Sequence, residues 1–206
     1  MKRIKFFLAA ALAAVCVTTQ AQTNDKGNFH KVYAEYSPMF IHAEEGDAKQ
    51  MWNGFGVGYS YNIKLADLPM HLELGAKIDY NFFNGEMIGD QTKTAKYNLL
   101  TVSAPLMNLA FDIRIGKDFL LVPYGGIGYK IYITGKEKGD QDRNLFSSDD
   151  MVTEELWNKS VSTWQAGLDF FYKSYFLGVS YNGNLERTAP QAKVHKGLNV
   201  RVGYSF

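Results

Sequence analysis

Apolar and polar residues alternate one by one through most of this chain, about ten at a time, and this period of two limits the fold more than any other feature. Successive side chains of a β-strand point to opposite faces, so alternation of this length reads as strand. The chain end is the cleanest case. Leu198, Val200, Val202, Tyr204 and Phe206 share one face; Gly197, Asn199, Arg201, Gly203 and Ser205 share the other. Residues 54–63 set Phe55, Val57, Tyr59, Tyr61 and Ile63 against Gly54, Gly56, Gly58, Ser60 and Asn62. Residues 71–82 set Leu72, Leu74, Ala76, Ile78, Tyr80 and Phe82 against His71, Glu73, Gly75, Lys77, Asp79 and Asn81. Residues 121–133 set Ile127, Tyr129, Ile131 and Ile133 against Gly126, Gly128, Lys130 and Tyr132.

Four further strands are expected at 31–41, 99–115, 161–172 and 175–183, which makes eight. In 99–115, Leu100 and Val102 fall out of phase with Met107, Leu109, Phe111 and Ile113. Pro105 lies between them, and a bulge is expected there because the missing N–H is tolerated at one. The connections alternate in length. Those at 64–69, 116–118 and 173–174 are short; those at 42–53, 84–96, 134–160 and 184–194 are long. All the short ones fall at one end and all the long ones at the other. An up-and-down sheet with an even strand number closes in that way.

Before the first strand, Lys2, Arg3 and Lys5 precede an apolar run from Phe6 to Val17, and Thr19-Gln20-Ala21 supplies small residues for cleavage. Residues 1–21 therefore read as a signal peptide, and residues 22–206 as one barrel domain. Twelve apolar residues are too few to span a bilayer as a helix. Cleavage would remove Cys16, the single cysteine of the chain, so neither a disulfide framework nor a multi-cysteine zinc site is expected. Lys and Arg number 22 against 21 Asp and Glu, a balance that offers nothing to nucleic acid.

A soluble barrel would turn its apolar face inward. Three features point the other way. Gly54, Gly56, Gly58, Gly75, Gly126, Gly128, Gly167, Gly178, Gly197 and Gly203 share the polar face, where inside a narrow barrel they make room for long side chains. Trp164, Tyr172, Tyr175, Tyr181, Tyr204, Phe206, Phe40, Phe55 and Phe82 lie near strand ends on the apolar face, as membrane-boundary girdles do. Leu198, Val200, Val202, Tyr204 and Phe206 form a terminal aromatic strand of the kind read by the outer-membrane insertion machinery. The polar face also pairs charges: Glu35, Glu73, Asp79, Asp112 and Asp169 against Lys64, Lys77, Arg114, Lys130 and Arg201. That set is expected to form a charge network filling the lumen, which eight strands leave only wide enough for side chains.

On these residues the chain is similar to the small eight-stranded bacterial outer-membrane barrels of the OmpA/OmpX type, over the whole of 22–206. The resemblance implies an all-β fold, an eight-stranded antiparallel up-and-down transmembrane β-barrel, in a Gram-negative outer membrane. It rests on pattern and not on a catalytic motif, and no further domain is expected after Phe206. A monomer is expected, with outer-membrane lipid and the insertion machinery as partners.

No chemistry-bearing constellation emerges. Asp140, Asp142 and Asn144 begin like a calcium loop, but Leu145 and Met151 occupy the positions that need Gly and Glu. His30, His42, His71 and His195 have no metal-ligand spacing, and no Ser accompanies them as a lipid-modifying barrel would need. No catalytic, metal or cofactor site is expected. The reading is a structural or surface-interaction barrel with a plugged lumen; a narrow pore is the alternative and a lipid-modifying enzyme the second. Loop 134–160, the longest connection, is the expected place for an extracellular partner, with Phe146 and Trp157 as its aromatic contacts or Trp157 in the outer girdle.

Overall fold

Alternating segments with one apolar and one polar face can satisfy all their backbone groups in lipid only by closing into a ring. The computed structural model, which describes residues 27–43, 49–87, 90–139, 142–146, 157–188 and 192–206, shows such a ring. Its strands are β1 (Phe29–Tyr36), β2 (Met39–Ala43), β3 (Lys49–Lys64), β4 (Met70–Met87), β5 (Asp90–Phe111) and β6 (Ile113–Arg114). They continue as β7 (Phe119–Lys138), β8 (Arg143–Asn144), β9 (Ser160–Tyr172), β10 (Tyr175–Asn184) and β11 (Ala192–Ser205).

β1 and β2 together make the first stave, β6 prolongs β5, and β8 is a short piece beside β7, so the ring has eight staves. Each pairs antiparallel with its chain neighbour. β11 closes the ring on β1, from Lys31 opposite Ser205 to Tyr36 opposite Val200. Beyond that ladder His30 and Phe206 exchange backbone hydrogen bonds of 2.8 and 3.0 Å.

Two irregularities set which residues face inward. Pro38 cannot donate, and β1 gives way to β2 there; the Ser37 N–H turns to the Gly54 carbonyl at 2.9 Å. In β5 the register shifts between Ser103 and Leu106 against β7, and β4 shifts between Gly75 and Lys77 against β5. The expected bulge is therefore present. Below it Leu106, Asn108 and Ala110 point inward; above it Ser103, Thr101 and Leu99 do. Leu100 and Val102 thus join Met107 and Leu109 on the outside, and the phase break in the sequence disappears in the structure.

The outer face is apolar around the ring. Phe55 (57% exposed), Val57, Ile78, Ile127, Ile133, Leu177 and Val202 all project from it. Aromatic rings gather at two heights. Near the turns, Phe119 lies against Phe170 and Tyr172, and Tyr175 against Tyr204. Nearer the loops, Phe55 packs on Tyr36 and Phe82, and Trp164 on Tyr181.

The turns at the short end lie where the sequence places them, but strand extends into three of the long connections. β4 reaches Met87 and β5 begins at Asp90, where 84–96 was expected to be loop. β3 begins at Lys49 and β7 runs on to Lys138. Above the lipid the outer face has no hydrocarbon to meet, so the alternation continues with its sense reversed. Asn84, Glu86, Thr94 and Lys96 face out, while Ala95, Tyr97 and Leu99 face in.

Candidate functional site

Strand β4 shows the layering of the interior in one pass. From the turn end its inward residues are His71, Glu73, Gly75, Lys77, Asp79, Asn81 and Phe83: polar at the base, charged in the middle, aromatic at the mouth.

At the turn end Ala110, Val122, Phe171 and Phe176 are buried together with the rings of Tyr33 and Tyr124, and Leu120 packs against them. Above them sits the first ionic cluster. Arg201 meets Asp169 through two parallel hydrogen bonds, Nε to Oδ1 at 2.9 Å and Nη2 to Oδ2 at 2.7 Å. This two-pronged geometry is the one the planar guanidinium favours. Lys31, wholly buried, donates to Glu73 and lies 3.4 Å from Asp169. Arg201 also reaches Glu73 at 3.8 Å and lies over the rings of Tyr124 (4.5 Å) and Tyr33 (5.0 Å). One step nearer the mouth, Lys77 donates to Glu35 at 2.6 Å and faces Asp79 at 3.5 Å, which in turn accepts from the Ser37 hydroxyl at 3.1 Å.

Glycine makes this density of long side chains fit. A Cβ at Gly56 would run into the Asp79 carboxylate, at Gly178 into Asp169 and Arg201, at Gly58 into the Tyr33 ring, and at Gly167 into Tyr124.

Six of the ten charges read from the sequence come together here: Glu35, Glu73, Lys77, Asp79, Asp169 and Arg201. Lys130 faces a small cavity shared with Lys77, Asp79, Asn182 and Asn199, of about 20 Å³, room for one water. Among the described residues it has no ion pair there. The other three lie outside the network. Arg114 is exposed on β6, at the turn end. Lys64 ends β3, where its N–H donates to the Asn28 side chain at 3.1 Å. Asp112 sits 3.1 Å from His71 at the base of the barrel. All three stand where the strands run out, so their phase matches the lumen but their height does not. Lys31 was missed in the sequence. It alternates in step with Tyr33 and Glu35, and that phase is the signal that could have found it.

The mouth is closed by rings. Trp52, fully buried, stacks on Tyr97 (4.8 Å), Phe83 (5.8 Å) and Trp157 (5.9 Å). Phe146 meets Trp157 edge-on at 6.5 Å and lies 5.6 Å from Tyr132. Met39, Ile41, Ala95, Leu99, Leu145 and Val161 complete the cluster. The backbone folds the loop inward: Leu145 N–H donates to Gly135, Trp157 N–H to Leu145, and Asn158 N–H to Thr188. Gly135 leaves the space, since a Cβ there would strike the Phe146 ring. Phe146 and Trp157 were expected as exposed contacts, or Trp157 as part of the outer girdle. Both expectations are corrected: their exposures are 9% and 6%, and both point into the barrel. Apolar rings above the lipid gain most by leaving water, and the mouth is the apolar place within reach.

His30 stacks on Phe206 at 5.4 Å and bonds the Tyr59 hydroxyl at 2.6 Å, a packing role at the seam. The side chains of His42 and His195 lie outside the described residues. Among the described residues, no group of three or more His, Cys, Asp or Glu is placed to hold a metal.

No curated protein sequence matches the chain. Its fold resembles that of Ail, the attachment invasion locus protein of Yersinia pestis, solved with the heparin analogue sucrose octasulfate. Identity is 14%, covering 88% of this chain and 100% of that one, with a TM-score of 0.52. Neisserial surface protein A matches at 14% identity over 88% of this chain and 98% of its own, TM-score 0.47. The outer membrane enzyme PagL matches at 14% identity over 81% and 97%, TM-score 0.43. At such identities the likeness is one of fold alone. The family of the outer membrane protein beta-barrel domain matches residues 7–206, and the chain belongs to it: it is a β-barrel protein of the bacterial outer membrane.

Proposed function

We propose that the protein acts through its external surface, with a lumen that stays closed. The observation that carries this reading is the interior itself. Its charges, Lys130 apart, are paired with neighbouring side chains of opposite sign, and the mouth above them is filled by stacked rings. On this reading the interior, among the described residues, offers no continuous water path and no open apolar slot for an acyl chain. A pore would need the Trp52–Trp157 stack to part; a lipid-modifying enzyme would need an apolar cleft where Lys77, Asp79 and Arg201 stand.

On this reading residues 1–21 are removed on export, and the strand ending in Tyr204 and Phe206 guides insertion of a monomer. The loop end faces outward, because short turns belong to the periplasmic side. The partner-binding part of loop 134–160 is then the stretch between the two buried anchors, since Phe146 and Trp157 are spent on the mouth. Deleting residues 147–156 tests this. Cells displaying the variant should lose adhesion to a surface that the parent binds, while carrying as much folded barrel. Equal adhesion at equal barrel content contradicts the proposal.

A further inference from the structure

The outward apolar band ends abruptly on three neighbouring strands, at Phe82 on β4, Leu100 on β5 and Ile133 on β7. The next outward residues are polar: Asn84, Asn98 and Thr134. Tyr80 marks the boundary, its hydroxyl donating to Asn98 at 2.5 Å. The step beyond is basic. Lys96 stands directly opposite Lys138, and Lys136 opposite Asn98, so three lysines share one patch of the outer face. All three are exposed, and among the described residues none has a carboxylate at ion-pairing distance.

Like charges directly opposite one another weaken an antiparallel pair. Of the nearest described carboxylates, Glu137, between two of the lysines, is buried on the inner face, and Glu86 stands opposite Thr94, one outward step away from Lys96, without an ion pair to it. An anion bridging the ammonium groups would relieve the repulsion. The height of the patch says which anion. At about 3.3 Å per residue, Lys96 lies four residues past Leu100, about 13 Å along a tilted strand and less along the membrane normal. The polar zone on each side of a bilayer is about 5–8 Å deep, so the lysine side chains reach back into it.

We propose that Lys96, Lys136 and Lys138 form a binding site for the phosphate of a lipid headgroup in the leaflet at the loop end. The apolar band below them, from Ile133 and Leu100 to Phe82, would take the acyl chains of the same molecule. This continuity of charge and hydrocarbon surface selects a lipid over free phosphate.

The full chain, folded in non-ionic detergent, is titrated with phosphatidic acid and with phosphatidylcholine and read by native mass spectrometry. The parent should prefer phosphatidic acid by about tenfold or more, and added salt should erode that preference. The K96Q, K136Q and K138Q triple variant should bind the two lipids equally. The corresponding triple Lys→Arg variant should keep the preference. Inorganic phosphate at the lipid's concentration should not displace the lipid. The proposal is overturned if the parent shows no preference, if salt leaves the preference unchanged, or if the Gln variant retains it. Displacement by inorganic phosphate would also overturn it, since the site would then be one for free phosphate.

Discussion

The middle of the lumen and its mouth fill the same ring of strands with opposite chemistry. In the middle, Lys31, Lys77 and Arg201 are held by Glu35, Glu73, Asp79 and Asp169, and every pair but Lys77–Asp79, which lies within β4, joins two strands. At the mouth, Trp52, Tyr97, Phe146 and Trp157 make contacts that need no single partner. The difference lies in what each layer loses when one member goes. A buried charge left alone keeps its full desolvation cost, whereas a ring removed from a cluster leaves a void that neighbours partly fill. The middle should therefore be brittle and the mouth tolerant, although both are closely packed.

Substitutions should rank accordingly. Arg201→Ala is expected to be the most damaging, since it strands Asp169 and weakens the hold on Glu73. A loss near the top of the range of about 3–5 kcal/mol should appear as a lowered urea midpoint of the folded barrel in vesicles, read by its gel mobility. Trp157→Ala should cost about 3 kcal/mol or less, because its loop can settle into the gap. If Trp157→Ala costs more than Arg201→Ala, the comparison fails. The sharpest case is Lys77→Met. Alone it leaves Glu35 unpaired and should be costly; combined with Glu35→Gln it should return to within about 1 kcal/mol of the parent, with Lys130 of the same cavity still facing Asp79. A double variant no more stable than Lys77→Met alone would mean that the pair is not the unit that matters.

The two layers also differ in how far they can be read from sequence. In the middle, period two runs unbroken, lipid enforces an apolar outer face, and every charge on the other face must be inside. That logic picks out Glu73, Lys77, Asp79 and Arg201, which the structure buries close together. It also explains Pro105, whose bulge brings Leu100 and Val102 back to the outer face. Lipid stops constraining the pattern near Phe82 and Ile133. Beyond them Tyr97, Leu99 and Trp52 turn inward while Lys96 and Asn84 turn out, so alternation survives with reversed sense and reads as loop. Phe146 and Trp157 were misassigned for a related reason. Aromatic residues in a long connection look like surface anchors until the nearby inward rings of Trp52 and Tyr132 show where they can be buried. Arg114 and Lys64 mark the opposite limit: phase fixes a face, but not whether the barrel wall still extends to that height.

The central claim, that the interior is closed by its own side chains, is tested most directly by current recording of the purified full chain in planar bilayers. The account predicts a silent baseline, with no steady open level at any moderate voltage. A stable ohmic conductance on the nanosiemens scale of wide porins would contradict it, because no path of that width passes both the Arg201–Asp169 pair and the Trp52–Trp157 stack.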